Sequence, residues 1–240
     1  MVFVSSESLP TPPWSSARAP RQRRALSRDL IVDTAMAIVD EEGLDGLSMR
    51  RLADRLGTGP ASLYAHVSGR DELLMLLLER AAADIVIPDP EPERWQEQVS
   101  EVAHSMRDAL LPHRDLAGAA LANIPTGEHA MRFADRLLAV LLAGGVDRRH
   151  AAMVIDLLPQ LVVNDVYEGS LFARRLQEQP DYFERLHEYW GSMPADRFPH
   201  VAALAEEIGG GEDEGEVRFA FALELFITGL AAVTTTTGRP

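Results

Sequence analysis

The chain has 240 residues, 46% hydrophobic and 25% charged, with no cysteine. This is ordinary globular composition, enough for one large or two small domains at about 100–200 residues each; it excludes a disulfide scaffold, a thiolate zinc site and a thiol nucleophile, and fits a reducing compartment. The formal charge of −14 argues against a nucleic-acid partner until its distribution is read, because residues 1–80 carry ten Arg and eleven acids while residues 81–240 carry thirteen Arg and twenty-six acids.

Residues 1–26 are rich in Ser, Pro and Arg. Pro10, Pro12, Pro13 and Pro20 interrupt regular structure, so a flexible arm is expected, with Arg18, Arg21, Arg23 and Arg24 near its end. Such an arm can enter a minor groove beside a DNA-binding head, or it is only a solubilising tail. The start has neither a basic n-region nor a sustained apolar run, so no secretory signal is expected and the expected location is the cytoplasm. Every basic residue is Arg.

Residues 27–87 read as four short helices. Ser27 suits the cap of the first, with Ile31, Thr34, Ala35, Ile38 and Val39 on one face and Gly43 as its stop. Ser48 suits the cap of the second, whose inner face is Met49, Leu52, Ala53 and Leu56. Gly57-Thr58-Gly59 is a tight turn, and Pro60 opens a third helix ending near His66. Ser68 and Asp71 resemble a capping box for a fourth helix, read as Asp71–Val86. Two helices across a short Gly turn are the core of a helix-turn-helix, and the second is polar and short enough to enter a major groove.

Pro88-Asp-Pro90-Glu-Pro92 marks a boundary, giving a body over 88–240. Helical stripes follow at Trp95–Leu110, Ala134–Leu141 and Met153–Phe172, with further helices expected at Tyr182–Trp190 and Val201–Ile208 and a loop over Gly209–Gly215. The run from Val217 to Val233 falls short of the ~20 residues of a membrane span. Its segment Phe219–Val233, apolar on most sides, is expected to be buried all round in a core or a subunit interface. No strand pattern stands out, so the fold class is all-α.

The seven histidines form no HExxH pair; His187-Glu188 has Gly191 where the second His belongs. Neither GxSxG nor GxxxxGK[ST] occurs, so no enzyme is expected.

The stretch SRDLIVDTAMAIVDEEGLDGLSMRRLADRLGTGPASLYAHVSGRDELL resembles the DNA-binding domain of the tetracycline-repressor (TetR) family. The resemblance is carried by Glu41-Glu42-Gly43, Leu47-Ser48-Met49-Arg50, Leu52-Ala53, Leu56-Gly57 and Ser62-Leu63-Tyr64-x-His66-Val67. It continues as Ala109-Leu110-Leu111-x-His113-Arg114-Asp115, Pro125-Thr126 and Phe219-x-Phe221-x-Leu223-Glu224-Leu225-x-Ile227-x-Gly229-Leu230, covering about 27–172 and 216–232. It implies a helix-turn-helix head with its connecting fourth helix over 27–87, and a helical body for ligand binding and dimerisation.

The implied function is a ligand-responsive transcriptional regulator, most readily a repressor, with three partners: a near-palindromic DNA operator, a small-molecule inducer and a second copy of the chain. The competing reading is a helical ligand-binding or protein-sequestering module without sequence-specific DNA binding. No membrane, metal or cofactor is expected. Arg50, Ser62, Tyr64 and His66 fall at the family's DNA-contacting positions, with Ser48, Met49, Ala61 and Arg70 beside them, Arg70 as a candidate phosphate clamp; Arg51 and Arg55 read as a solvated face. The pocket candidates are Val102, Met106, Leu110, Leu116, Asn164, Tyr167, Glu168 and Phe172. Ala120, Val102 and Val86 stand where the drug-binding branch has polar or metal-binding residues, so tetracycline specificity is not expected to carry over.

Overall fold

The computed structural model describes residues 26–123, 126–209 and 214–237, and the arm Arg18, Arg21, Arg23 and Arg24 lies outside them, as does Pro125. Among the described residues there are helices and turns and no strand. The first four helices are α1 (Arg28–Glu42), α2 (Met49–Leu56), α3 (Pro60–Leu63) and α4 (Arg70–Ala82). The next four are α5 (Trp95–Leu110), α6 (Arg114–Ala122), α7 (Glu128–Ala143) and α8 (Arg148–Glu178). The last four are α9 (Tyr182–Gly191), α10 (Pro199–Ala203), α11 (Ala205–Gly209) and α12 (Glu214–Thr237).

The head forms where its caps place it. Ser27 Oγ accepts the Leu30 N–H at 3.2 Å and Ser48 Oγ accepts the Arg51 N–H at 3.1 Å, so each satisfies a donor that a helix start leaves open. Gly57 takes the left-handed conformation (φ 64°, ψ 34°) that turns α2 into α3. The regular part of α3 stops at Leu63; a turn then carries the chain through His66, whose N–H reaches the Leu63 carbonyl at 2.9 Å.

α4 differs from expectation at both ends. Its N-cap is Gly69, and the reciprocal bond comes from Glu72, not Asp71: Glu72 Oε2 accepts the Ser68 N–H at 2.6 Å. That bond holds the Glu72 carboxyl below the usual carboxylate range. The helix ends at Ala82, and Val86 lies beyond it, 70% exposed, with its N–H on Ser105 Oγ.

Apolar side chains gather in two clusters. The first holds Ile31, Ile38, Leu52, Leu63, Leu73 and Leu77, and it also takes Leu116 and Ala119 from α6. The second is built from α5, α7, α8 and α12 around Val99, Val102, Leu137, Leu141, Leu158 and Phe219. The boundary at residue 88 therefore does not divide the packing, because α6 of the body completes the core of the head. Gly43 (φ 76°) allows that approach: a Cβ there would sit 2.6 Å from Asp115 Oδ2.

α6 carries no sequence signal, since its Leu116–Ala122 stretch is almost all Ala, Gly and Leu. Small residues let it lie close on α8, and a Cβ at Gly118 would stand 2.9 Å from the Tyr167 ring. α5, α8 and α12 are tied by Arg107, whose guanidinium reaches Asp165 Oδ2 at 2.7 Å, bonds Glu216 and lies 4.9 Å from the Phe219 ring centre.

The expected helix at Val201–Ile208 is broken at Leu204 into α10 and α11. α12 also differs from its reading. Over Glu214–Thr234 it reaches 21 residues and by length and composition alone is apolar enough to cross a membrane. It is not buried all round within one chain: Phe219, Leu223 and Leu230 pack inward, while Val217, Phe221 and Leu225 are 68%, 60% and 58% exposed.

Candidate nucleic-acid interface and ligand cavity

α2 and α3 sit on the first core through Leu52, Ala53 and Leu63, which turns their polar residues outward. Arg50, Ala61, Ser62 and Tyr64 are exposed, Tyr64 at 55%, although a tyrosine on a short helix would bury its ring if packing allowed it. His66 is half-buried, and Met49 packs partly into the head core. Ser48, exposed, spends one lone pair on its cap and keeps its hydroxyl proton free to donate.

The three arginines of α2 have different fates. Arg51 pairs with Glu42 and Arg55 with Glu41 and Glu42, at the C-terminal end of α1. The Arg51 hydrogen bond holds the Glu42 carboxyl below its usual range, and both guanidiniums are raised by their carboxylate bonds. Arg50 makes no hydrogen bond or ion pair among the described residues, so it is the cation of this helix left for an outside partner. Arg70 is exposed, and its bonds to main-chain carbonyls leave its Nη1 donors and its charge available to a phosphate. Its guanidinium donates to the Leu44 carbonyl at 3.2 Å, with a longer reach to that of Leu47, and so braces the turn that precedes α2.

The body holds a cavity of about 690 Å³ between the end of α4 and helices α5 to α8. Its walls are mostly apolar: Ile85, Met106, Ala120, Met131, Phe133, Ile155 and Val163, with Asn123, Asp156, Gln160 and Asn164 as polar groups. Pro159 also lines it, inside α8. Proline has no N–H, so the Ile155 carbonyl loses its helical donor in that wall.

Of the eight pocket candidates, the structure brings Met106 and Asn164 to this cavity. Val102 and Leu110 are core residues of the body, and Leu116 belongs to the core of the head. Tyr167 and Glu168 line a separate groove beside Arg218 and Phe219, and Glu168 pairs with Arg218. Phe172 packs on Phe183, ring centres 5.6 Å apart. The cavity residues that sequence reasoning missed, Phe133 and Ile155 above all, have the same helical spacing as core residues. Only the space opposite them sets them apart. Of the three positions compared with the drug-binding branch, Ala120 lines the cavity, Val102 is buried and Val86 is in the loop after α4.

On the far side of α8, Met153, Leu157 and Leu171 are 45–48% exposed and, with the outward stripe of α12, leave apolar surface without cover in the single chain.

Comparison with known proteins agrees with this arrangement. Residues 31–76 match the family model of bacterial regulatory proteins of the tetR family, and residues 87–234 match that of the tetracyclin repressor-like C-terminal domain. The chain is 28% identical to an HTH-type transcriptional regulator of Saccharopolyspora erythraea, spanning 95% of this chain and 94% of that protein. It is 27% identical to the HTH-type transcriptional repressor DrrR1 of Streptomyces coeruleorubidus, over 90% of this chain and 82% of that one. The crystal structure of the TetR family protein ActR of Streptomyces coelicolor in complex with actinorhodin superimposes with a TM-score of 0.82, at 42% identity, covering 90% of this chain and all of that one. A second ActR structure, with (S)-DNPA, gives a TM-score of 0.80. With both of its halves matched and a solved relative at this identity along its length, the chain belongs to the TetR family of bacterial transcriptional regulators.

Proposed function

We propose that this protein is a homodimeric repressor whose DNA-binding head is released from its operator when a small, mostly apolar molecule fills the cavity of the body. One observation carries the reading. α4 places Leu73 and Leu77 in the core of the head, and its last residue, Ala82, in the wall of the cavity. A ligand there bears on the same helix that positions the head.

In this reading Arg50, Ser62 and Tyr64, with Ser48, Met49, Ala61 and His66 around them, form the surface that meets a major groove. Arg50 suits a guanine edge or a phosphate, and the hydroxyls suit phosphate oxygens. Two such heads span half-sites about 34–36 Å apart. The uncovered apolar stripes of α8 and α12 are the surface we assign to the second copy, which accounts for an apolar helix left exposed in one chain. Residues 27–87 act as the head and 88–240 as the ligand-binding and dimerisation body, with α6 reaching across to support the head. We assign the protein no catalytic activity and place it in the cytoplasm, where the operator is.

The test is selection of bound sequences from a random DNA pool, followed by titration of the protein–operator complex with small molecules. Actinorhodin and (S)-DNPA, held by ActR, are the first probes. The reading predicts an enriched near-palindromic site and its release by at least one cavity-sized apolar compound. No enrichment over random sequence would favour a ligand-binding module without operator recognition.

A further inference from the structure

The cavity does not end at its apolar wall. Ala82, Ile85 and Phe133 also form one side of a second, smaller cavity of about 280 Å³, which adjoins the first. The two differ in chemistry. Among the described residues the large one is lined by no basic side chain, and its polar groups there are a carboxylate (Asp156) and the amides Asn123, Gln160 and Asn164. The small one is lined by Arg132 and Arg136, one turn apart on α7, with His129 one turn earlier. In a chain of net charge −14, a cavity with three basic side chains and no acidic one among the described residues of its lining is a marked local reversal.

Neither arginine is committed to a buried partner. Arg132 pairs with Glu128, which is 81% exposed, and Arg136 with Asp89, which is 95% exposed. Pairs this exposed are weak, and an incoming anion can replace either carboxylate at little cost. Arginine presents a planar fork that matches a carboxylate, sulfonate or phosphate with two bonds.

We infer that the two cavities form one bipartite site that takes a ligand with an apolar, aromatic-sized body in the large chamber and an anionic group between Arg132 and Arg136 in the small one. Phe133, shared by both, is the hinge of the site and packs on the body of the ligand near its charged end. In the large chamber the Asp156 carboxylate repels an anion and can accept from a hydroxyl. The ligand therefore has one orientation. This inference rests on the cavity being the ligand chamber, and the test separates the two ideas.

Two dyes of similar shape serve as probes: 1-anilinonaphthalene-8-sulfonate, which is anionic, and N-phenyl-1-naphthylamine, which lacks the sulfonate. Their binding to the full-length dimer is followed by fluorescence. The double variant Arg132→Gln/Arg136→Gln should bind the sulfonate about tenfold more weakly, as expected for two partly solvent-screened charge-assisted contacts, and the neutral dye within about twofold of the parent. Removing the competing acids, in Glu128→Gln/Asp89→Asn, should tighten the sulfonate and leave the neutral dye unchanged. Phe133→Ala should weaken both. Unchanged sulfonate binding in the double arginine variant, with Phe133→Ala still weakening both dyes, overturns the anionic end but keeps the chamber. Both dyes indifferent to Phe133→Ala overturn the chamber itself.

Discussion

Asp115 is one of the side chains on which head and body meet, and its removal has a magnitude that can be worked from its bonds. One carboxylate oxygen accepts the Leu44 N–H at 3.0 Å, in the turn that precedes α2, and the other accepts from Arg174 of α8 at 2.9 Å. The side chain is 19% exposed and that of Arg174 is 50% exposed. Asp115→Ala leaves a partly buried backbone donor without its partner, which costs about 1–3 kcal/mol. It also breaks an ion pair whose arginine is half in water, worth about 0–1 kcal/mol. The sum is about 1–4 kcal/mol. Asp115→Asn keeps an oxygen for Leu44 and loses only the charge on Arg174, so it should cost about 1 kcal/mol or less. Urea unfolding of the two variants and the parent at one protomer concentration, followed by far-UV circular dichroism, reads the difference as a midpoint shift at constant slope. Alanine and asparagine variants with the same midpoint would mean that the Leu44 bond contributes nothing. The head would then be held on the body by α4, the packing of Leu116 and Ala119, and the contacts of Glu79 with the start of α7 and of Asp40 with His113.

Three further outcomes are expected. Arg50→Ala or Tyr64→Ala should weaken binding to the selected operator by about 1–3 kcal/mol at fixed salt while the circular dichroism and the dimer stay intact; unchanged binding in both would remove α2 and α3 from the interface. Magnesium–tetracycline should not release the operator complex if, as the resemblance implies, Ala120 of the cavity wall stands at the drug-binding branch's metal-binding position, because alanine has no ligating atom; release that depends on magnesium would refute this. Deleting residues 1–24, which lie outside the described residues and carry Arg18, Arg21, Arg23 and Arg24, should weaken operator binding and lower the slope of log K against log salt by about 0.9 for each phosphate that the arm neutralises; identical affinity and slope would make the arm a tail.

The head is legible because its signals are local. Ser27 and Ser48 cap, Gly57 turns and Pro60 starts, each acting within a few residues of its own position, and the structure has all four in those roles. The ends of α4 are misread for the opposite reason. Glu72 rather than Asp71 reaches back to Ser68, and nothing in the sequence marks Ala82 as the stop, since apart from Asp84 apolar residues continue to Ile87. α6 escapes sequence reading altogether: a helix of Ala, Gly and Leu has little polar alternation, and its closeness to Tyr167 is visible only when α8 is beside it. The cavity is hidden for a related reason. Periodicity says which residues leave water, and not whether the facing helix supplies atoms to fill the space; Val102 and Phe133 read alike, yet one is packed on every side and the other faces a void.

The two helices that line the cavity from the head side are the same two that enter the core of the head. α4 buries Leu73 and Leu77 there and brings Ala82 to the cavity wall. α6 buries Leu116 and Ala119 there and brings Ala120 through Ala122 to the wall, within a single turn or two. Close-packed cores transmit displacement because they have no slack to absorb it. From Leu73 to Ala82 the helix runs about 14 Å, so each 5° of tilt at the cavity end moves the other end by about 1.2 Å. Base contacts through short hydrogen bonds fail over less than that. A third link joins the struts to the wall: Glu79 of α4 accepts the backbone N–H groups of His129 and Ala130, at the start of the helix that carries Met131 and Phe133. A ligand that needs the walls further apart than they stand in the DNA-bound state has the differential affinity that coupling requires, and about 1–3 kcal/mol of it changes operator affinity roughly 5–150-fold. Size and shape of the apolar body therefore set whether a compound induces, and the charge at its end sets how tightly it binds.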